Sequence, residues 1–120
     1  MSKPKDFTIL IGDEHVQTVD SLSLVLDNEG FNTLKAYNSE DLIDIANERK
    51  PDLIIVHLHI EDQLNGIEIA KKLPKIKVLF TDAIDGDEEY AGKCKNCVGL
   101  ISKPINNHDI IEAVKNILKL

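Results

Sequence analysis

Residues 51–58 read PDLIIVHL. After the proline and one acidic residue, the run is apolar at almost every position. A strand with one face in water alternates apolar and polar residues, whereas a nearly unbroken aliphatic run suits a strand covered on both faces, as in parallel sheets. Parallel neighbours cannot be joined by a tight turn. The chain must return through crossover helices, and those crossovers are right-handed.

The rest of the chain supplies them. FTILI (7–11) is a short β-rich run ending at Gly12. Between Val16 and Asn28, Val19, Leu22, Val25 and Leu26 recur at helical spacing, and Gly30 suits the left-handed position after a helix. FNTLKAY (31–37) reads as a more exposed strand. Asn38 or Ser39 caps a second helix with Leu42, Ile45 and Ala46 on one face, and Pro51 ends that unit. Gly66–Leu73 is a third helix with Ile69, Ala70 and Leu73 inward, stopped by Pro74. IKVLFT (76–81) is the fourth strand, and DGDEEYAGKC (85–94) is at best a short helix. VGLIS (98–102) is the fifth strand, followed by a helix from about Asn107 to Lys119 with Ile110, Val114, Ile117 and Leu118 as its stripe. Five βα units predict a doubly wound α/β sandwich with a five-stranded parallel sheet, in one domain spanning 1–120.

The totals agree. A chain of 120 residues suits one domain, and 42% hydrophobic residues are enough for a core, an aliphatic one since tryptophan is absent. Against 14 Lys+Arg stand 21 Asp+Glu, so the net charge of −7 gives no general attraction to nucleic acid or anionic lipid. No apolar stretch approaches the ~20 residues of a bilayer span. The N-terminal MSKPKDF lacks the apolar core of a signal peptide. A cytoplasmic protein without a direct nucleic-acid or membrane partner is expected. Cys94 and Cys97 are too few for a disulfide framework.

In doubly wound sheets, the functional site lies outside the carboxyl ends of the strands. The first strand ends in Gly12-Asp13-Glu14-His15, the third in His57-Leu58-His59, the fourth in Thr81-Asp82 and the fifth in Ser102-Lys103-Pro104. An adjacent carboxylate pair suits a hard divalent cation, and a facing hydroxyl and ammonium suit a phosphoryl group.

With ILIGDEH, PDLIIVHL, LFTDA and LISKPI, the chain resembles a response-regulator receiver domain of two-component signalling over its whole length. The resemblance implies a flavodoxin-like fold. It also implies an acidic pair at Asp13 and Glu14, a switch hydroxyl at Thr81 and a phosphate-contacting lysine at Lys103, followed by Pro104. Such domains accept phosphate on an aspartate at the end of the third strand, with Mg²⁺ spanning that aspartate and the acidic pair. Here the position holds His57. Further departures are Gly12 in place of a bulky aliphatic, Glu61 in a loop one residue longer than usual, Asp82 after the switch hydroxyl and Leu100 at the aromatic switch position. Asp82 is expected to crowd or repel phosphate. The departures cluster at the site while the core pattern is intact.

The expected function is therefore an atypical receiver that regulates through protein–protein contact without aspartyl phosphorylation, and is not an enzyme. His57 is expected to be buried and held by Asp13 or Glu14, with its pKa raised. Protonation of His57 is one candidate input, and Mg²⁺ binding is expected to be weakened. One alternative is a transition-metal site of His57, Asp13 and Glu14 with His15 or His59. His57 and His59 are two apart and would share a face on a continuing strand. Another is a phosphorelay receiver with an unconventional acceptor, such as His57, Asp13 or Asp62. Cys94-Lys-Asn-Cys97 is read as two partly buried thiols, with His108 as a third zinc ligand only if the loops meet. Lys93 and Lys95 are expected to favour thiolate there. Asp85, Asp87, Glu88 and Glu89 are read as a solvated helix start. Expected partners are signalling proteins, either a histidine kinase or an output protein, and a homodimer. The usual receiver partner face is the fourth helix, fifth strand and fifth helix, carrying Tyr90 and Leu100 here.

Overall fold

The computed structural model describes residues 2–60, 64–83, 86–102 and 106–120, apart from the side chain of Tyr90. Five strands form one sheet: β1 (Thr8–Gly12), β2 (Asn32–Ala36), β3 (Leu53–His57), β4 (Lys77–Ala83) and β5 (Cys97–Ser102). Between them and after them run α1 (Val16–Asn28), α2 (Ser39–Arg49), α3 (Gly66–Lys72), the short α4 (Asp87–Ala91) and α5 (Asn107–Leu118). The strand order is β2-β1-β3-β4-β5, and every pairing is parallel. The aliphatic run of β3 therefore lies in the middle, buried at all five positions.

Alternation along the strands divides the core into two layers. Leu10, Ile54, Val56, Val78 and Phe80 pack with Leu42 and Ala46 of α2 and Ile67, Ile69 and Ala70 of α3. Ile9, Ile11, Leu53, Ile55 and Leu79 pack with Val19, Leu22 and Leu26 of α1 and Ile110 and Val114 of α5. Two covered faces explain why β3 has no polar partner to each apolar residue. Among the described residues, no helix is long and apolar enough to cross a membrane.

Local chemistry fixes the helix ends. The Asn38 side chain accepts the backbone N–H of Asp41, capping α2. Asn65 and Glu68 cap α3 reciprocally, each side chain accepting the other's backbone N–H. Past the end of α3, Asn96 donates its amide to the carbonyls of Ala70, Leu73 and Ile76 at 3.0, 3.0 and 2.9 Å. The carbonyls of Ala70 and Leu73 also accept the backbone N–H groups of Leu73 and Ile76, so the clasp adds a second donor to each and pins the turn before β5 to the end of α3 and the start of β4.

Two features shape the carboxyl edge of the sheet. A Cβ on Gly12 would run into the Leu42 side chain, which is fully buried. Glycine at the end of β1 is thus matched by a large residue on α2. And β4 continues beyond Thr81, to Ala83, with three steps from Phe80 to Ala83 opposite two from Leu100 to Ser102. The extra residue makes a bulge, and within it Asp82 adopts the left-handed conformation with φ of 57°. Aspartate is among the few non-glycine residues that tolerate this region.

Candidate functional site

Asp13 and Glu14 leave the end of β1, and His15 opens α1 as its N-terminal cap residue. Asp13 is almost fully buried; its Oδ1 accepts the backbone N–H of His15 at 3.0 Å and lies 3.0 Å from His15 Nδ1. These bonds fold the acidic pair back over the sheet edge and start the helix.

His57 is the last residue of β3, paired in register with Thr81 of β4. Its side chain is 10% exposed. On one side of the ring, Nδ1 lies 3.4 Å from Glu14 Oε1 and 3.8 Å from Asp13 Oδ1. On the other, Nε2 lies 3.5 Å from Asp82 Oδ2. These are ion-pair separations, longer than good hydrogen bonds. His57 Nδ1 and Glu14 Oε2 are both buried without a hydrogen-bond partner.

The charges act on both partners. The Asp13 carboxylate raises the His57 pKa above its ordinary value; burial opposes the rise, and the charges of Asp13, Glu14 and Asp82 reinforce it. Burial alone would raise the pKa of Asp13. The imidazole of His57, the His15 backbone N–H and the His15 ring outweigh it, and the value falls to about 2.

The expected elements assemble as follows. Asp13, Glu14 and His57 come together, and Thr81 is buried beside them in the β4 ladder. Lys103 and Pro104 lie outside the described residues, as do Glu61, Asp62 and Asp85. His15 joins the cluster, but His59 does not. β3 ends at His57, and a turn closes with the Ile60 N–H on the His57 carbonyl. The shared strand face that His57 and His59 would need is therefore absent, and His59 Nε2 sits 3.0 Å from Asp87 Oδ2. His108 pairs with Glu112 at 3.6 Å on the exposed face of α5, and among the described residues no group of three candidate ligands includes the cysteines.

Cys94 is buried and Cys97 half-buried, both free. The expected ease of thiolate formation is reversed at Cys94. Burial pushes its thiol up, and the lysine that partly offsets this is Lys71 rather than Lys93 or Lys95. The expectation for Asp82 is only that it crowds or repels phosphate, and its contact with His57 is the feature the sequence did not disclose. It is a third carboxylate beside His57, brought there by the bulge.

A doubly wound parallel sheet with an acidic pair, a histidine and a buried threonine at its carboxyl edge defines a flavodoxin-like α/β domain of the receiver type. The chain belongs to the response regulator receiver domain family, which it matches over residues 9–115. It is 30% identical to the sporulation initiation phosphotransferase F of Bacillus subtilis, over 93% of this chain and 94% of that one. It is also 30% identical to the polar-differentiation response regulator DivK of Brucella anthropi, over 78% of this chain and 81% of that one. Among solved structures, a response regulator receiver domain protein from Clostridium thermocellum superposes with a TM-score of 0.84 at 21% identity, covering 94% of each chain.

Mg²⁺ is the ion that the family implies. It takes oxygen ligands in a near-octahedral shell. Here a buried imidazole nitrogen lies between the two carboxylates of the pair and the strand end, so the donor set does not fit that ion well.

Proposed function

We propose that this receiver domain works in signal transduction as a regulatory, protein-interaction module without aspartyl phosphorylation. The imidazole of His57 at the end of β3, held on both ring edges by carboxylates, carries the reading. An aspartate there would attack phosphorus through a carboxylate oxygen. His57 has no such oxygen, and its ring is already engaged by negative charge that also repels an incoming phosphate.

A receiver changes state when added charge is bound better by one conformation than by another. Without that event, the balance is set by the sequence and by whichever partner binds one state preferentially. The partner is a signalling protein, a histidine kinase or an output protein. The face formed by α4, β5 and α5 suits it, and suits a second copy of the chain. Val98 is exposed on the edge strand β5, with Leu100 and Ile101 half-buried beside it.

The test is incubation with a small acyl-phosphate donor and Mg²⁺, followed by intact-mass measurement. No phosphoryl adduct is expected. An adduct on a carboxyl group or on His57 would overturn the reading in favour of a phosphorelay receiver with an unconventional acceptor.

A further inference from the structure

We propose that Asp13, Glu14, His15 and His57 form a binding site for a borderline divalent transition metal of the Zn²⁺ type, in place of the hard ion that the family uses. This goes beyond the interaction role. It rests on where His57 lies and not on whether the domain is phosphorylated.

One ligand atom from each of the four residues lies within 4.8 Å of those of the other three. The separations between Nδ1 atoms and carboxylate oxygens are 3.0, 3.4, 3.5 and 3.8 Å. A tetrahedron with bonds of ~2.0–2.1 Å has edges of ~3.3–3.4 Å. Four of the six donor–donor separations are thus already near the edge length that a four-coordinate ion requires, and the other two lie within 4.8 Å.

The second observation is independent of the clustering. The Glu14 Oε2 and His57 Nδ1 atoms are buried with nothing to hydrogen-bond, although the His57 side chain is only 10% exposed. Buried polar atoms in native proteins nearly always have partners, and an ion at the centre of this group supplies one to His57 Nδ1.

The donor chemistry selects the ion. Two imidazole nitrogens and two carboxylates favour Zn²⁺, Ni²⁺ or Cu²⁺ over Mg²⁺. The surroundings match what a metal-bound histidine needs, since Asp82 Oδ2 faces the far nitrogen of His57 at 3.5 Å and orients the ring. Asp13 is fixed by the His15 backbone N–H at 3.0 Å. An entry path exists too. The His15 side chain is 65% exposed and Glu14 is 22% exposed, so the ion can reach the group from solvent. The His15 and His57 rings, 6.4 Å apart and tilted by 41°, are close enough for both to turn a nitrogen to one centre.

The experiment is titration of the chelator-stripped full chain with Zn²⁺ and, separately, Mg²⁺, followed by calorimetry and thermal unfolding. Co²⁺ absorption reads the coordination number. One Zn²⁺ per chain is expected in the micromolar range, with the intense visible bands of four-coordinate Co²⁺ and a much weaker Mg²⁺ response. His15→Ala and His57→Ala should each weaken Zn²⁺ binding by about tenfold or more. His59→Ala and Cys97→Ser should leave it unchanged. If His57→Ala does not fold, His57→Gln serves in its place and should also weaken binding. No binding below millimolar Zn²⁺, tighter binding of Mg²⁺ than of Zn²⁺, or Zn²⁺ binding that survives loss of both histidines would overturn the proposal.

Discussion

Replacing His57 by aspartate tests the electrostatic logic of the pocket directly. The carboxylate oxygen of an aspartate and the Nδ1 of a histidine are both two bonds from Cβ, so in His57→Asp an anion takes roughly the place of Nδ1. It then lies near Glu14 Oε1 and Asp13 Oδ1, which are 3.4 and 3.8 Å from that nitrogen. The attraction to both is replaced by repulsion, and the pairing with Asp82 is lost. Two unit charges 4 Å apart at an effective dielectric of ~20 interact by about 4 kcal/mol. Glu14 and Asp82 are 22% and 19% exposed, so water screens much of that. Proton uptake by one carboxylate caps the rest, at about 1.4 kcal/mol per pH unit above its pKa. A net loss of about 2–4 kcal/mol at neutral pH follows, equivalent to a fall in Tm of about 8–16 °C for a chain of this size. The assay is urea and thermal unfolding of parent and variant in EDTA. Mg²⁺ at about a hundred times its Kd should restore about 2.7 kcal/mol to the variant and far less to the parent. Equal stability in EDTA, to within about 0.5 kcal/mol, would refute the arrangement of charges described for the end of β3.

Other consequences can be measured in the metal-free protein. His57 gains a raised pKa on folding, so the stability it contributes is fully present below its unfolded value of 6.5 and is lost as pH rises through the folded one. The stability difference between parent and His57→Gln should therefore shrink as pH is raised past that point. Asp13 has the opposite sign: its contribution, on the order of 2 kcal/mol and shared with His57, is present above pH 3.8 and lost as pH falls towards about 2. Asp82→Asn removes one of the charges that holds the imidazolium, and the NMR titration midpoint of His57 should move down. Asn96→Ala removes three side-chain hydrogen bonds at once, while the Ala70 and Leu73 carbonyls keep the backbone N–H groups of Leu73 and Ile76. At about 1 kcal/mol net per bond, less what water restores, urea unfolding should show a loss of about 2 kcal/mol with an unchanged m-value.

What the sequence disclosed and what it withheld follow from the range of the interactions. The unbroken run of β3, the spacing of Val19, Leu22 and Leu26, and the Asn38 cap are local, and each appears where expected. The strand-end rule brought Asp13, Glu14 and His57 to one place because parallel strands all present the same end. Asp82 is visible as a charge at the strand end, but its contact with His57 escaped because its aim depends on a bulge against β5, which no pattern within β4 announces. His59 misled because alternation holds only while the strand lasts, and the turn after His57 ends it. Asn96 is a loop residue whose three acceptors lie 20 to 26 positions away, so nothing near it reveals the clasp.

The match between Gly12 and Leu42 makes these two sites epistatic. Enlarging residue 12 to valine forces side chain against side chain in a filled layer, at a cost of about 1–3 kcal/mol. Trimming Leu42 to alanine alone opens a void, at about 2–5 kcal/mol. Made together, the swaps exchange volume across the interface between β1 and α2, and the loss should fall well short of the sum. A bulkier residue can thus be grafted onto the end of β1 only with a compensating reduction on the opposing helix.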